Sequence, residues 1–345
     1  MQARNKNNQT LVVLCPWKGE KDLSDFKIGK LVTVCVFLLS LAIAEPAHCK
    51  VVKDDLYAVQ AIGNDVWACG YHGLIVHSKD KGESWSIQES NKEESFFDIC
   101  FVNNREGWII GSYGTILHTG NGGLSWEPQV SKVNLMLFDG FFLDSQTGWV
   151  CGQEGTLLYT NNGGKTWEQK PQLMDFDFYG LYFLDVNHGW VVGEFGVIYK
   201  TDDGGKSWEK QKNPAEISYL TGSQECFFRI IFDQAGPGYV FFMDGGLLVT
   251  KDMGNLWEIV PKVTVNHFFN GAVNKDKLWA VGQRGTLVYY YDDVAHSFPL
   301  NTKRHLLSIS FSADGYGILV GSAGTVFMTL DDGKTWTRKI LIPGK

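Results

Sequence analysis

SKDKGESW, TGNGGLSW, TNNGGKTW and TDDGGKSW end at Trp85, Trp126, Trp167 and Trp208, at intervals of 41 residues. TKDMGNLW ends at Trp257 after 49 residues, YDDVAHSF at Phe298 after 41, and TLDDGKTW at Trp336 after 38. Seven copies of a polar stretch that closes on a large ring, at a period near 40, restrict the fold to a propeller or a solenoid. A helical solenoid needs apolar residues at i, i+3 and i+4 over ten or more positions, and no copy has them.

Within each copy the same smaller parts recur. The second reads FFDICFVNNREGWIIGSYGTILHTGNGGLSWEPQ (96–129). FFDICFV is nearly continuous apolar sequence, as a strand buried on both faces requires. VNNRE is a turn, GWIIG a second short strand, and SYG a tight bend in which Gly111 and Gly114 are expected to take positive φ. TILHT is a third strand and SWEPQ begins a fourth. Four short antiparallel strands in about 40 residues make one propeller blade. The expected fold is all-β: a seven-bladed β-propeller with four-stranded antiparallel blades over residues 45–345. The blades span approximately 56–89, 96–130, 137–170, 178–212, 227–260, 268–300 and 306–342.

The repeated turn joins the third strand to the fourth. Its Asp or Asn oxygen (Asp80, Asn121, Asn162, Asp203, Asp252 and Asp331) can accept bonds from nearby backbone N–H groups and close an Asx-type turn. Glycine permits the bend. The tryptophan (Trp85, Trp126, Trp167, Trp208, Trp257 and Trp336) is expected to wedge between neighbouring blades and bury about 200 Å². The sixth copy has Val294 and Ala295 in place of the usual glycines and Phe298 in place of the indole, which predicts a looser turn.

Residues 1–44 differ from the rest. Lys27 and Lys30 precede the apolar run LVTVCVFLLSLAIA (31–44), too short for a comfortable membrane span and suited to a signal peptide. Ala42-Ile43-Ala44 supplies a small-x-small cleavage site, and an uncleaved N-terminal membrane anchor is the alternative. Beyond residue 44 the chain carries 25 basic and 35 acidic side chains, a formal charge of about −10. That balance opposes a nucleic-acid or anionic-membrane surface. Five cysteines remain there (Cys49, Cys69, Cys100, Cys151 and Cys226), an odd number without metal-site spacing, expected as buried free thiols. No HExxH, CxxC pair or phosphate loop is present, so no catalytic residue, metal or cofactor is assigned.

GWVCGQEGTLLYTNNGGKTW (148–167) and GWVVGEFGVIYKTDDGGKSW (189–208) carry the unit known as the Asp-box or BNR repeat. That unit resembles the photosystem II stability and assembly factor family and its relatives in non-photosynthetic bacteria, over residues 56–340. The resemblance implies a non-enzymatic scaffold that binds protein partners and assists a membrane or envelope complex. It implies a monomer outside that complex, in the periplasm or on the outer face of the inner membrane. Photosynthetic members carry an arginine patch, whereas here only Arg105, Arg229, Arg284, Arg304 and Arg338 follow residue 44, on different turns, which points to another client. The alternative is a glycan-binding propeller or a sialidase-like glycoside hydrolase. FFRIIF (227–232) echoes a sialidase motif but lacks its proline.

Two regions are candidate sites. The turns between the second and third strands differ from blade to blade and present Tyr71, His72, Tyr113, Glu154, Glu194, Phe195, Asp244 and Arg284, a composition suited to binding protein. The first strands should line a central channel and place Asp98, Asp139, Arg229 and Asn270 at one level, beside Ala58, Gly180 and Ser308. Two carboxylates and one guanidinium there form an expected charge network. The long connection 211–226 is a third, weaker candidate.

Overall fold

Runs such as FFDICF and GWIIG are short, apolar and bounded by Asn, Gly and charged residues, so they form short buried strands. The computed structural model describes residues 51–215, 225–233, 236–262, 264–292 and 294–344. The apolar run 31–44, Cys49 and residues 216–224 of the long connection lie outside them. The described chain forms seven four-stranded antiparallel sheets, each from one contiguous segment with its strands in sequence order. Blade two is typical: Phe96–Phe101, Gly107–Gly111, Ile116–Thr119 and Glu127–Gln129. The first strands contact one another in a closed ring, the last against the first. Among the described residues helix is confined to three-residue turns.

The core lies in the seams between blades. In seam one–two, Trp67 of the second strand stacks on Phe101 of the next blade at 3.9 Å, and Trp126 meets the same Phe101 edge-on at 5.9 Å. The same triple recurs as Trp108–Phe142–Trp167 and Trp149–Phe183–Trp208. It recurs again as Trp190–Phe232–Trp257 and Trp279–Phe311–Trp336. The repeated indole is therefore the seam marker that the sequence predicts, and a second tryptophan from the second strand shares the task. Trp67 Nε1–H donates to Gly122 O at 3.1 Å and Trp126 Nε1–H to Gln88 Oε1 at 3.2 Å, so this seam is bonded as well as packed, whereas the indole N–H groups of Trp190, Trp257, Trp279 and Trp336 find no partner among the described residues.

The Asp-box turns close as expected. Asp80 Oδ1 accepts the Ser84 N–H at 2.8 Å, Asn121 Oδ1 the Ser125 N–H at 3.0 Å, and Asn162 Oδ1 the Thr166 N–H at 3.0 Å. Asp203, Asp252 and Asp331 accept the equivalent N–H groups at 2.8–2.9 Å. The following glycine takes positive φ in every one of these boxes, from Gly82 (79°) to Gly205 (84°).

Two expectations are corrected. Gly111 is extended (φ −159°), and only Gly114 has positive φ (68°). Glycine is needed at 111 for space, since a Cβ there would lie 2.4 Å from the Ser95 carbonyl oxygen. Blade six does not keep the Asp-box spacing. Its third strand ends at Tyr291 and its fourth begins at Val294, paired residue to residue, so the turn has contracted to two residues. Tyr289 opposes His296 as Tyr159 opposes Glu168, which puts Ala295, not Phe298, in the place of the indole. The short 38-residue interval therefore falls before blade six and not after it.

Among the described residues ring closure uses no exchanged strand. Val59 N–H donates to Ser308 Oγ (3.2 Å) and Ala61 N–H to Ser310 Oγ (3.0 Å) across the seam of blades seven and one. Outside it, Val52 N–H bonds Leu341 O (3.0 Å) and Gly344 N–H bonds Trp85 O (2.8 Å).

Candidate functional site

The turns between second and third strands share one backbone design. The central residue is left-handed in all seven: His72, Tyr113, Glu154, Phe195, Asp244, Arg284 and Ala323 have φ between 52° and 59°. Non-glycine residues pay about 1 kcal/mol for this conformation, so the surrounding bonds must enforce it. They come from the next blade. Glu154 N–H donates to Asp177 Oδ1 (3.0 Å), Ala323 N–H to Asp55 Oδ1 (2.7 Å), and Asp244 N–H bonds His267 Nδ1 (2.8 Å). With the backbone fixed by neighbours, the side chain is free to vary. Tyr71, His72, Tyr113, Glu154, Asp244 and Arg284 are exposed. Glu194 and Phe195 are half-buried: Glu194 Oε2 accepts the Asp177 N–H, and Phe195 packs on Phe176 at 4.6 Å.

Inside this ring of turns lies a feature that sequence reasoning missed. Each first strand carries a β-bulge at its start, and the extra residue is Tyr57, Phe97, Phe138, Tyr179, Phe228, Phe269 or Leu307. A bulged residue is unpaired in the ladder and re-aimed. Here all seven line the channel mouth, around a cavity of about 270 Å³. Successive ring centroids are 5.8, 5.8, 5.1, 5.9 and 5.8 Å apart from Tyr57 round to Phe269. That spacing on a sevenfold circle sets the rings about 6.5 Å from the axis. All are half-buried, so an apolar collar of six aromatics and Leu307 stays open to solvent. The signal was the column just before Asp98, Asp139 and Arg229, which reads as ordinary core until the bulge turns it.

Below the collar, the structure brings Asp98, Asp139, Arg229 and Asn270 together as predicted, and they floor the cavity. Arg229 Nη1 donates to Asp139 Oδ1. Asp139 Oδ2 accepts the Leu181 N–H (2.9 Å) and Asp98 Oδ2 the Gly140 N–H (3.1 Å), each from the next blade. Ser308 does the same for Val59, so this level of the channel latches blade to blade. Burial, and then the Asp139 carboxylate, push Asp98 up to about 7, against the pull of Arg229. Burial works against the charge of Arg229, but the Asp139 and Asp98 carboxylates outweigh it and hold the guanidinium above its ordinary value.

Cys69, Cys100, Cys151 and Cys226 are free thiols; Cys69 and Cys151 are fully buried at equivalent positions. Among the described residues no three metal-binding side chains cluster, and no helix is long and apolar enough to cross a membrane.

A family model described as "Photosynthesis system II assembly factor YCF48" matches residues 85–173, 125–217 and 169–265, together more than half of the chain. No curated protein matches the sequence. Many solved structures share the fold, three of them as follows. "YCF48 bound to D1 peptide" is 18% identical with a TM-score of 0.66, covering 81% of this chain and 93% of that one. YCF48 from Cyanidioschyzon merolae is 18% identical with a TM-score of 0.66, covering 82% and 97%. The GH74 enzyme from Niastella koreensis is 12% identical with a TM-score of 0.69, covering 86% of this chain and 55% of that one. At these identities the structural likeness speaks for the fold alone.

Proposed function

This chain belongs to the photosynthesis system II assembly factor YCF48 family, and from that premise we propose that it is a non-enzymatic scaffold whose collar face holds a protein partner. One observation carries the reading: six aromatic rings and Leu307, left open at the channel mouth and encircled by exposed Tyr71, Tyr113 and Arg284. Half-buried aromatics inside a polar rim are the anatomy of a protein-binding hot spot. A solved structure of a family relative is that of YCF48 bound to D1 peptide, which supports protein binding by this chain. We further propose that residues 1–44 export the chain and that its client is a membrane or envelope complex other than a photosystem, bound by a monomer.

The test is photocrosslinking from position 113 on the collar face and from position 124 on the opposite face, in the native membrane fraction. A protein adduct from position 113 that disappears in the Phe97→Ala, Phe138→Ala double variant is the expected result. Equal adducts from both positions, or none, overturn it. Export is read from the mature N-terminus, expected at Glu45; a chain beginning at Met1 in the cytosol refutes it.

Glycan binding or hydrolysis is the second reading, because sugar faces also stack on aromatic rings and a GH74 enzyme shares the fold. Against it, both Asp139 oxygens are engaged within the protein and Asp98 holds a backbone N–H. No release of sugar from xyloglucan or sialosides is expected; turnover reverses the ranking.

A further inference from the structure

Five seams carry the Trp–Phe–Trp triple. In the seam between blades five and six the three places hold Tyr239, Val273 and Ala295. The loss of ring volume is large, because both indoles and the phenyl ring between them are reduced together. It is only partly made good. Tyr290 stands where Ser78, Thr119, Thr160, Thr201, Thr250 and Thr329 stand in the other blades. Opposite it, Leu278 replaces the glycine found at 107, 148, 189, 238 and 317. These two side chains lean into the vacated space and are buried.

A groove of about 460 Å³ remains on the outer flank of the seam, away from the channel. Tyr239, Leu247, Val249, Val260, Leu278 and Tyr290 give it an apolar base. Its rim carries Glu258, Asp276 and Asp292 against a single Lys251. Tyr290 is 93% buried and, among the described residues, its hydroxyl has no hydrogen-bond partner. Burial pushes this phenol up to about 12, so it stays protonated and can both donate and accept. A buried hydroxyl left without a partner is costly, and this one lies closed off from solvent beneath the groove that its own residue helps to line.

We propose that this groove is a second binding site, and that it takes an aromatic side chain flanked by basic residues from an extended segment of a partner protein. The partner supplies in trans the ring that blade six no longer supplies in cis. The apolar base receives the ring, and the acidic rim selects lysine or arginine on either side. The site is separate from the collar and stands whether or not the collar binds protein.

The probe is the peptide acetyl-Lys-Trp-Lys-amide, titrated against the full chain by ligand-observed NMR, with acetyl-Lys-Ala-Lys-amide as the control. The tryptophan peptide is expected to bind at least tenfold more tightly than the control. Glu258→Lys with Asp276→Lys, both at exposed positions, should weaken binding at least tenfold while leaving the thermal midpoint unchanged. The Phe97→Ala, Phe138→Ala collar variant should bind normally, which separates this site from the collar. No binding at millimolar peptide, equal binding of the alanine peptide, or indifference to the charge reversal overturns the proposal.

Discussion

Asp98→Asn should stabilise this protein, and only above mid-acid pH. In the folded chain the carboxyl is raised from 3.8 to about 7 by burial and by Asp139. A raised acid binds its proton more tightly folded than unfolded, so stability is greatest below pH 3.8 and falls as pH rises through 7. A gap of about three pH units at 1.36 kcal/mol each sets a ceiling of about 4 kcal/mol. The channel is open at both ends, which lowers the expected cost of the ionised group to about 1–2 kcal/mol. Asparagine keeps an acceptor for the Gly140 N–H and has no charge to desolvate. The thermal midpoint of the variant should therefore exceed that of the parent by about 2–4 °C at pH 8 and match it near pH 4. Asp139→Asn is the contrast. It withdraws the carboxylate bonded to Arg229 and should cost about 3 kcal/mol at neutral pH. If the Asp98→Asn gap is the same at both pH values, or if the variant is less stable at pH 8, the placement of Asp98 beside a second carboxylate is wrong.

Trp126→Ala should lose about 3–5 kcal/mol, from a buried ring seated on Phe101 and bonded to Gln88, read as a fall in thermal midpoint. Asp203 behaves oppositely to Asp98: the Ser207 hydroxyl and N–H hold it down to about 2, so its contribution is present above pH 4 and lost as pH falls through 2. Asp203→Asn should thus destabilise at pH 7, with the deficit shrinking toward pH 2. Ala323→Gly should raise stability by about 1 kcal/mol by relieving a left-handed alanine, checked by urea unfolding. Burial raises all four described thiols, Cys226 to about 11 and Cys100 to about 12, so Ellman's reagent should label Cys69, Cys100, Cys151 and Cys226 only on unfolding.

Sequence alone determined the sevenfold all-β repeat, the Asp-box hydrogen bonds, the indoles as seam markers and the meeting of Asp98, Asp139 and Arg229. Each follows from a local pattern repeated at fixed spacing, and a closed ring brings equivalent positions to one radius and height. The tertiary structure alone decided three things. A one-residue bulge turned Tyr57, Phe97, Phe138 and their equivalents out of the ladder and into a collar, and no periodicity of hydrophobicity encodes that rotation. Bonds from neighbouring blades, such as Asp177 to Glu154, fixed the left-handed turns that carry the variable side chains. In blade six, strand pairing contracted the turn and set Ala295 where spacing by 41 had set Phe298. Pairing across strands, which linear spacing does not see, is what left one seam open.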